Sequence, residues 1–79
     1  MKLHVYSLEK PAFERDAASV NLKTAIGELT ILDNHRPLIT PVVKGPVRIT
    51  EYEGAEQTIE ADGGLLEVRP GSEVTILLD

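Results

Sequence analysis

Short runs in which apolar and polar residues alternate, separated by Gly and Pro, organise this chain from end to end. Val47 and Ile49 alternate with Arg48 and Thr50, and Val20, Leu22, Thr24 and Ile26 alternate around Asn21 and Lys23. Such a period of two puts one side of a strand in a dry core and the other in water. Breakers fall at Pro11, Gly27, Pro37, Pro41, Gly45-Pro46, Gly54, Gly63-Gly64 and Pro70-Gly71. Only Ala12 to Ile26 is long and unbroken enough for an ordinary helix, and its second half has the strand period. The pattern therefore predicts an all-β domain, a sandwich or barrel of short strands. The predicted strands are Leu3–Leu8, Ser19–Thr24, Glu28–Leu32, Leu38–Val43, Val47–Tyr52, Gln57–Ala61, Leu65–Arg69 and Val74–Leu78. Glu53-Gly54-Ala55-Glu56 reads as a hairpin turn in which Gly54 takes a positive φ, and Pro70-Gly71-Ser72 as a second turn. Two runs, Leu29-Thr30-Ile31-Leu32 and Ile76-Leu77-Leu78, are apolar on both sides. Such strands need cover from the opposite sheet and from another chain.

Composition narrows the class. At 79 residues the chain predicts one domain, spanning 1–79, that buries roughly 60% of its unfolded surface. With one Phe, two Tyr and no Trp, the core must be aliphatic. No cysteine is present, which excludes a disulfide-stapled miniprotein and suits a reducing compartment. The formal charge of −5 argues against nucleic acid or an anionic membrane surface as the main partner. No stretch approaches the roughly 20 apolar residues of a membrane span, and the N-terminus lacks the apolar run of a signal peptide. The expectation is a soluble protein of the bacterial cytoplasm. Up to Thr50 there are seven Lys/Arg and five Asp/Glu; from Glu51 onward Arg69 stands against eight acids. This split reads either as a solvated acidic face or as a polarised surface whose less acidic end meets a partner.

Catalytic chemistry finds little support. Asp33 and His35 could give two metal ligands, but structural zinc takes four and catalytic zinc three. His4 has no ligand neighbour in sequence. Ser7, Ser19 and Ser72 lack the strand-to-helix setting of a nucleophile elbow. Glu51, Glu53 and Glu56 surround a turn and read as solvated. Gly63-Gly64 precedes no helix whose N-terminus could hold an anion. Lys23 and Lys44 lack the hairpin-tip context of a lipoyl or biotinyl carrier. The residues thus predict a noncatalytic sandwich that acts by contact, with no cofactor and no metal.

One stretch is more specific: Gly27-Glu28-Leu29-Thr30-Ile31-Leu32-Asp33-Asn34-His35-Arg36-Pro37-Leu38-Ile39. It resembles the G-E-hydrophobic-G-I-L-P-x-H-x-P-L-hydrophobic segment of the epsilon subunit of F-type ATP synthases. Gly63-Gly64-Leu65-Leu66-Glu67-Val68, followed by Val74-Thr75-Ile76-Leu77, is similar to that family's G-G-hydrophobic-hydrophobic-E-V…V-T-hydrophobic-L. Gly45-Pro46-Val47-Arg48-Ile49 matches its G-x-hydrophobic-R-hydrophobic strand, and Ser7, Glu9 and Phe13 its opening S-x-E-x-x-x-F. The four blocks come in the family's order and spacing. The chain departs from the pattern at Thr30 (often Gly), at Asp33 (often Pro) and at Arg15-Asp16 (commonly a small residue and Gly).

The resemblance implies a flattened antiparallel β-sandwich of about 8–10 short strands, the epsilon N-terminal domain. It also implies a noncatalytic rotor subunit that binds gamma and rests on the c-ring, coupling ion translocation to ATP synthesis on the cytoplasmic face of the bacterial inner membrane. Carried over position by position, Glu28, Asn34, His35 and Arg36 face the c-ring, while Ser7, His35 and Thr40 face gamma. Glu28 reads otherwise as a solvent-facing turn carboxylate, His35 as a residue bonded within its own loop, and Glu67 as structural. No nucleic-acid binding, membrane insertion or ATP binding is implied. The helical hairpin that follows this domain in longer members has no counterpart up to Asp79, so its restraint on rotation is expected to be missing. The competing expectation is a free-standing β-sandwich that binds a small ligand or peptide.

Overall fold

The computed structural model describes residues 1–8 and 13–79. Glu9 of the opening motif, Pro11 among the breakers and the start of the Ala12–Ile26 run lie outside them. The described residues form eight strands: β1 (Lys2–Ser7), β2 (Phe13–Thr24), β3 (Gly27–Ile31), β4 (Leu38–Val42), β5 (Gly45–Glu51), β6 (Glu56–Ala61), β7 (Gly64–Arg69) and β8 (Glu73–Leu78). The all-β expectation holds, and most strand ends fall within two residues of those read from the alternation. The exception is β2, which begins at Phe13 rather than Ser19. Arg15 and Asp16, which depart from the family pattern, belong to it. Glu14, Arg15 and Asp16 are all exposed, so this half carries no period-two signal although it pairs with β1 along one edge.

β2 needs its length because it joins both walls of the sandwich. Its Phe13–Asp16 segment pairs with β1, and Val20–Thr24 pairs with β3 along the same edge. On its other edge Ala17–Asn21 pairs with β5, and Thr24 pairs with Val42 of β4. A register shift between Ala17 and Ser19 marks a bulge, which bends a strand and raises its twist. One wall is β1–β8–β7–β4 and the other β3–β2–β5–β6, with β6 on the free edge. The pairing is antiparallel except where β1 lies parallel to β8, a departure from the wholly antiparallel expectation. Parallel neighbours cannot be joined by a hairpin, and here nearly the whole chain separates them.

The core lies between the walls. Leu3, Val20, Leu22, Ile31, Val47, Ile49, Leu66, Val74 and Ile76 are its largest fully buried side chains. Each alternates with an outward residue, so the aliphatic core follows from the period of two. Gly64 lets the start of β7 lie close against β8: a Cβ there would run into the carbonyl oxygen of Leu77. Both predicted turns are present, with Gly54 at φ 92° and Gly71 at φ 83°. Thr24 is buried yet satisfied, donating to the Gly27 carbonyl at 2.7 Å and accepting from the Ile26 amide at 3.2 Å. Among the described residues, no buried side-chain nitrogen or oxygen lacks a partner.

Candidate functional site: an apolar outer face and an anchored loop

The register of the β1–β8–β7–β4 wall lines up four outward residues. Tyr6 lies opposite Leu77, Leu77 opposite Leu65, and Leu65 opposite Pro41. All four are exposed. Strands stand about 4.8 Å apart, so this apolar row runs about 14 Å across the wall. Ile39, two residues before Pro41 and therefore on the same side, is 67% exposed. The ring of His4 stacks on that of Tyr6 with centroids 6.2 Å apart. Beyond the row lie Thr75, the Glu67–Arg69 ion pair at 3.2 Å and Glu73. An apolar centre with a charged margin is the composition of a protein–protein interface, and exposed apolar area of this continuity marks contact sites. Of the run Ile76-Leu77-Leu78, read as needing cover on both sides, Ile76 is buried in the core and Leu77 is exposed on this face. The unequal charge along the chain does not produce it: Glu67 and Glu73 border the row, while Glu56 and Glu60 project from edge strand β6.

A second feature lies at the end of the sandwich where β3 passes to β4. Asn34, His35 and Arg36 are together in this loop. The Asn34 amide donates to the Ser72 hydroxyl at 2.9 Å, and the His35 amide to the Leu32 carbonyl at 3.2 Å. His35 Nδ1 lies 2.8 Å from the Arg36 carbonyl oxygen; that contact makes Nδ1 the donor and leaves Nε2 available. The Arg36 side chain is exposed. Asp33 joins the loop to two other elements. Its Oδ1 is 2.7 Å from the Met1 ammonium, and its Oδ2 accepts from the Tyr52 hydroxyl at 2.7 Å. The ammonium also donates to Tyr52 at 2.9 Å and to the Ala17 carbonyl at 2.9 Å. The ammonium hydrogen bond, then that of Tyr52, hold the Asp33 carboxyl below the ordinary carboxylate range. The negative Asp33 in turn pushes the Tyr52 phenol up.

The other expected site residues are placed elsewhere. Glu28 is the second residue of β3, toward the opposite end of that strand from Asn34, and so is not in the loop with the three. It lies across from Lys23, and its carboxylate accepts from Asn21 at 3.2 Å. Ser7 closes β1 and is half-buried. Thr40 is 3% exposed and points inward opposite Leu66, so its hydroxyl does not reach the surface; Ile39 and Pro41 beside it do. Ser7 and Thr40 belong to strands at the two edges of the β1–β8–β7–β4 wall. Sequence reasoning missed the Asp33–Tyr52–ammonium cluster, because the three groups are far apart in the chain. The one signal was Asp33 itself, a polar residue where the resembling segment often has Pro. Among the described residues no group of three or more His, Cys, Asp or Glu is arranged to hold a metal.

The fold is an eight-stranded, all-β sandwich with an exposed apolar row on one wall. The sequence family described as "ATP synthase, Delta/Epsilon chain, beta-sandwich domain" matches residues 1–79, and the chain belongs to that family. An ATP synthase epsilon chain of Bordetella petrii is 42% identical over 79 residues, all of this chain and 55% of that relative. The chain thus spans about half the length of the curated relative it matches. Two solved assemblies contain the same fold. A chain of the Euglena gracilis mitochondrial ATP synthase (OSCP/F1/c-ring) superposes with TM-score 0.84 at 18% identity, covering 96% of this chain and 48% of that one. A chain of the Tetrahymena thermophila mitochondrial ATP synthase central stalk and c-ring gives 0.77 at 17%, covering 98% and 61%.

Proposed function

We propose that this chain is a noncatalytic part of the central stalk of an F-type ATP synthase, binding a gamma subunit and the c-ring and helping to couple ion translocation to ATP synthesis. The observation that carries the reading is the apolar row Tyr6–Leu77–Leu65–Pro41 on a domain of the epsilon family. A standard interface buries about 1,600 Å² in total, and the outer face of one wall is the surface on this small domain suited to half of it. The gamma subunit takes that wall. The loop of Asn34, His35 and Arg36, at the end of the sandwich, meets the polar loops of the ring. Glu28, at the other end of β3, is the weaker ring contact, because Asn21 already engages its carboxylate.

A stiff body suits this task. Rotation passes load from the ring to gamma, and two walls joined through β2 resist shear better than an isolated hairpin. The complex is bound at the membrane, and the domain lies on its cytoplasmic side in a bacterium. The test is to mix the chain with purified gamma and follow association by calorimetry. The expected result is one-to-one binding that raises the melting temperature of the chain. Failure to bind gamma would favour the free-standing ligand or peptide module.

A further inference from the structure

We propose that Asp33, Asn34, Tyr52 and Ser72 are positioning residues, which lock the β3–β4 loop into the conformation that presents His35 and Arg36 to a partner. The proposal rests on reading that loop as the contact with the ring. Two adjacent residues tie the loop in two directions. Asp33 is held by the Met1 ammonium and by the hydroxyl of Tyr52, which follows β5. Asn34 is held by Ser72, in the β7–β8 turn: its amide donates to the Ser72 hydroxyl at 2.9 Å, and that hydroxyl is 3.3 Å from Asn34 Oδ1.

Backbone geometry makes the second tie specific. Asn34 and Ser72 are the two non-glycine residues with positive φ among those described, at 62° and 57°. Asn enters that region more readily than most residues with a Cβ and Ser less so, and here the two are bonded to each other. The Ser72 carbonyl also accepts from the Lys2 amide at 2.9 Å, so the turn is itself fixed to β1. The loop therefore reaches its partner already ordered. Ordering a free loop at the moment of binding would subtract from affinity. None of the four anchors needs to touch the partner; they act through His35 and Arg36.

The experiment compares the full chain with Tyr52→Phe, Ser72→Ala, the two combined, Arg36→Ala and, as a control on the opposite wall, Arg48→Ala. Each is titrated onto a bacterial stalk–ring subassembly depleted of its own epsilon subunit, and amide exchange of Asn34 and His35 is followed in the free chain. The expected result is roughly tenfold weaker binding for Arg36→Ala and for the combined variant. The His35 amide, whose acceptor is the Leu32 carbonyl, exchanges at least tenfold faster in the combined variant only, the Asn34 amide also in Ser72→Ala because its own acceptor is removed, and Arg48→Ala changes neither binding nor exchange. Faster loop exchange with weaker binding separates positioning from general destabilisation, which would speed exchange throughout the sheet. Should the combined variant not fold, the two single variants give the same comparison with smaller changes. Binding within twofold of the parent for the anchor variants, with Arg36→Ala weakened, overturns the proposal and leaves the ring contact standing. Unchanged binding by Arg36→Ala removes the ring contact, and the proposal with it.

Discussion

The two walls of this sandwich are built from the same alternation and end with opposite surfaces. Inward, both supply Val, Ile and Leu to one core. Outward, the β3–β2–β5–β6 wall presents Thr30, Asn21, Arg48 and Thr58 in one register row, whereas the β1–β8–β7–β4 wall presents Tyr6, Leu77, Leu65 and Pro41. Two members of the polar row are engaged within the chain: the Asn21 amide donates to Thr30 at 3.0 Å, and also to Glu28 at 3.2 Å. Its free edge, β6, carries exposed Glu56 and Glu60, charges that discourage a further strand from pairing there. The apolar row has no such internal account. One wall meets water with polar side chains, and the other presents an apolar row to it.

Neighbouring residues of β7 give the sharpest way to break this contrast. Leu66 points inward and is fully buried, while Leu65 points outward. Leu66→Ala should cost about 3 kcal/mol of stability through the cavity it leaves, read as a lower denaturation midpoint with an unchanged slope. Leu65→Thr with Leu77→Thr, which keeps strand propensity and adds no charge, should do the reverse, moving the midpoint far less while weakening gamma binding about tenfold, or about 1.4 kcal/mol. Equal binding loss from Asn21→Asp with Arg48→Asp on the other wall would erase the distinction between the walls. Asn21→Ala alone removes two exposed hydrogen bonds and should cost less than about 1 kcal/mol, with gamma affinity unaltered.

The smallest effect belongs to the end of the sandwich rather than to either wall. Asp33 has a lowered pKa in the folded chain, so its contribution is complete above the unfolded carboxylate value of about 3.9. That contribution is lost as pH falls through the lower folded value. Tyr52 has a raised pKa, so its contribution is complete below about 10 and is lost as pH rises through the folded value. Melting temperature against pH should therefore fall on both flanks, and Tyr52→Phe should remove the alkaline flank while softening the acid one. An alkaline flank that persists in Tyr52→Phe would assign it to another group.

Asp33 also shows where the family pattern and this chain part. Proline would stiffen the loop by fixing its own φ; Asp33 leaves φ free and engages two distant groups instead. The departure was visible as a letter in the sequence, and its meaning was not, because nothing local names Tyr52 or the chain's first ammonium as partners. The first half of β2 was illegible for the opposite reason. Exposed Glu14, Arg15 and Asp16 give no alternation, and only pairing with β1 makes them a strand.

By itself, the sequence determined the class: all-β, aliphatic core, turns at Gly54 and Gly71, and the motifs that place the chain in its family. Those features depend on residues two to four positions apart, where period and turn chemistry act. Tertiary structure alone decided that β1 runs parallel to β8 and that β2 serves both walls. It also decided which outward residues fall into one row. Leu77 is apolar in any register, but it becomes part of a surface only when Tyr6 and Leu65 are brought to either side of it. Thr40 and Glu28 show the same dependence: the fold turned one inward and set the other at the far end of its strand from the loop.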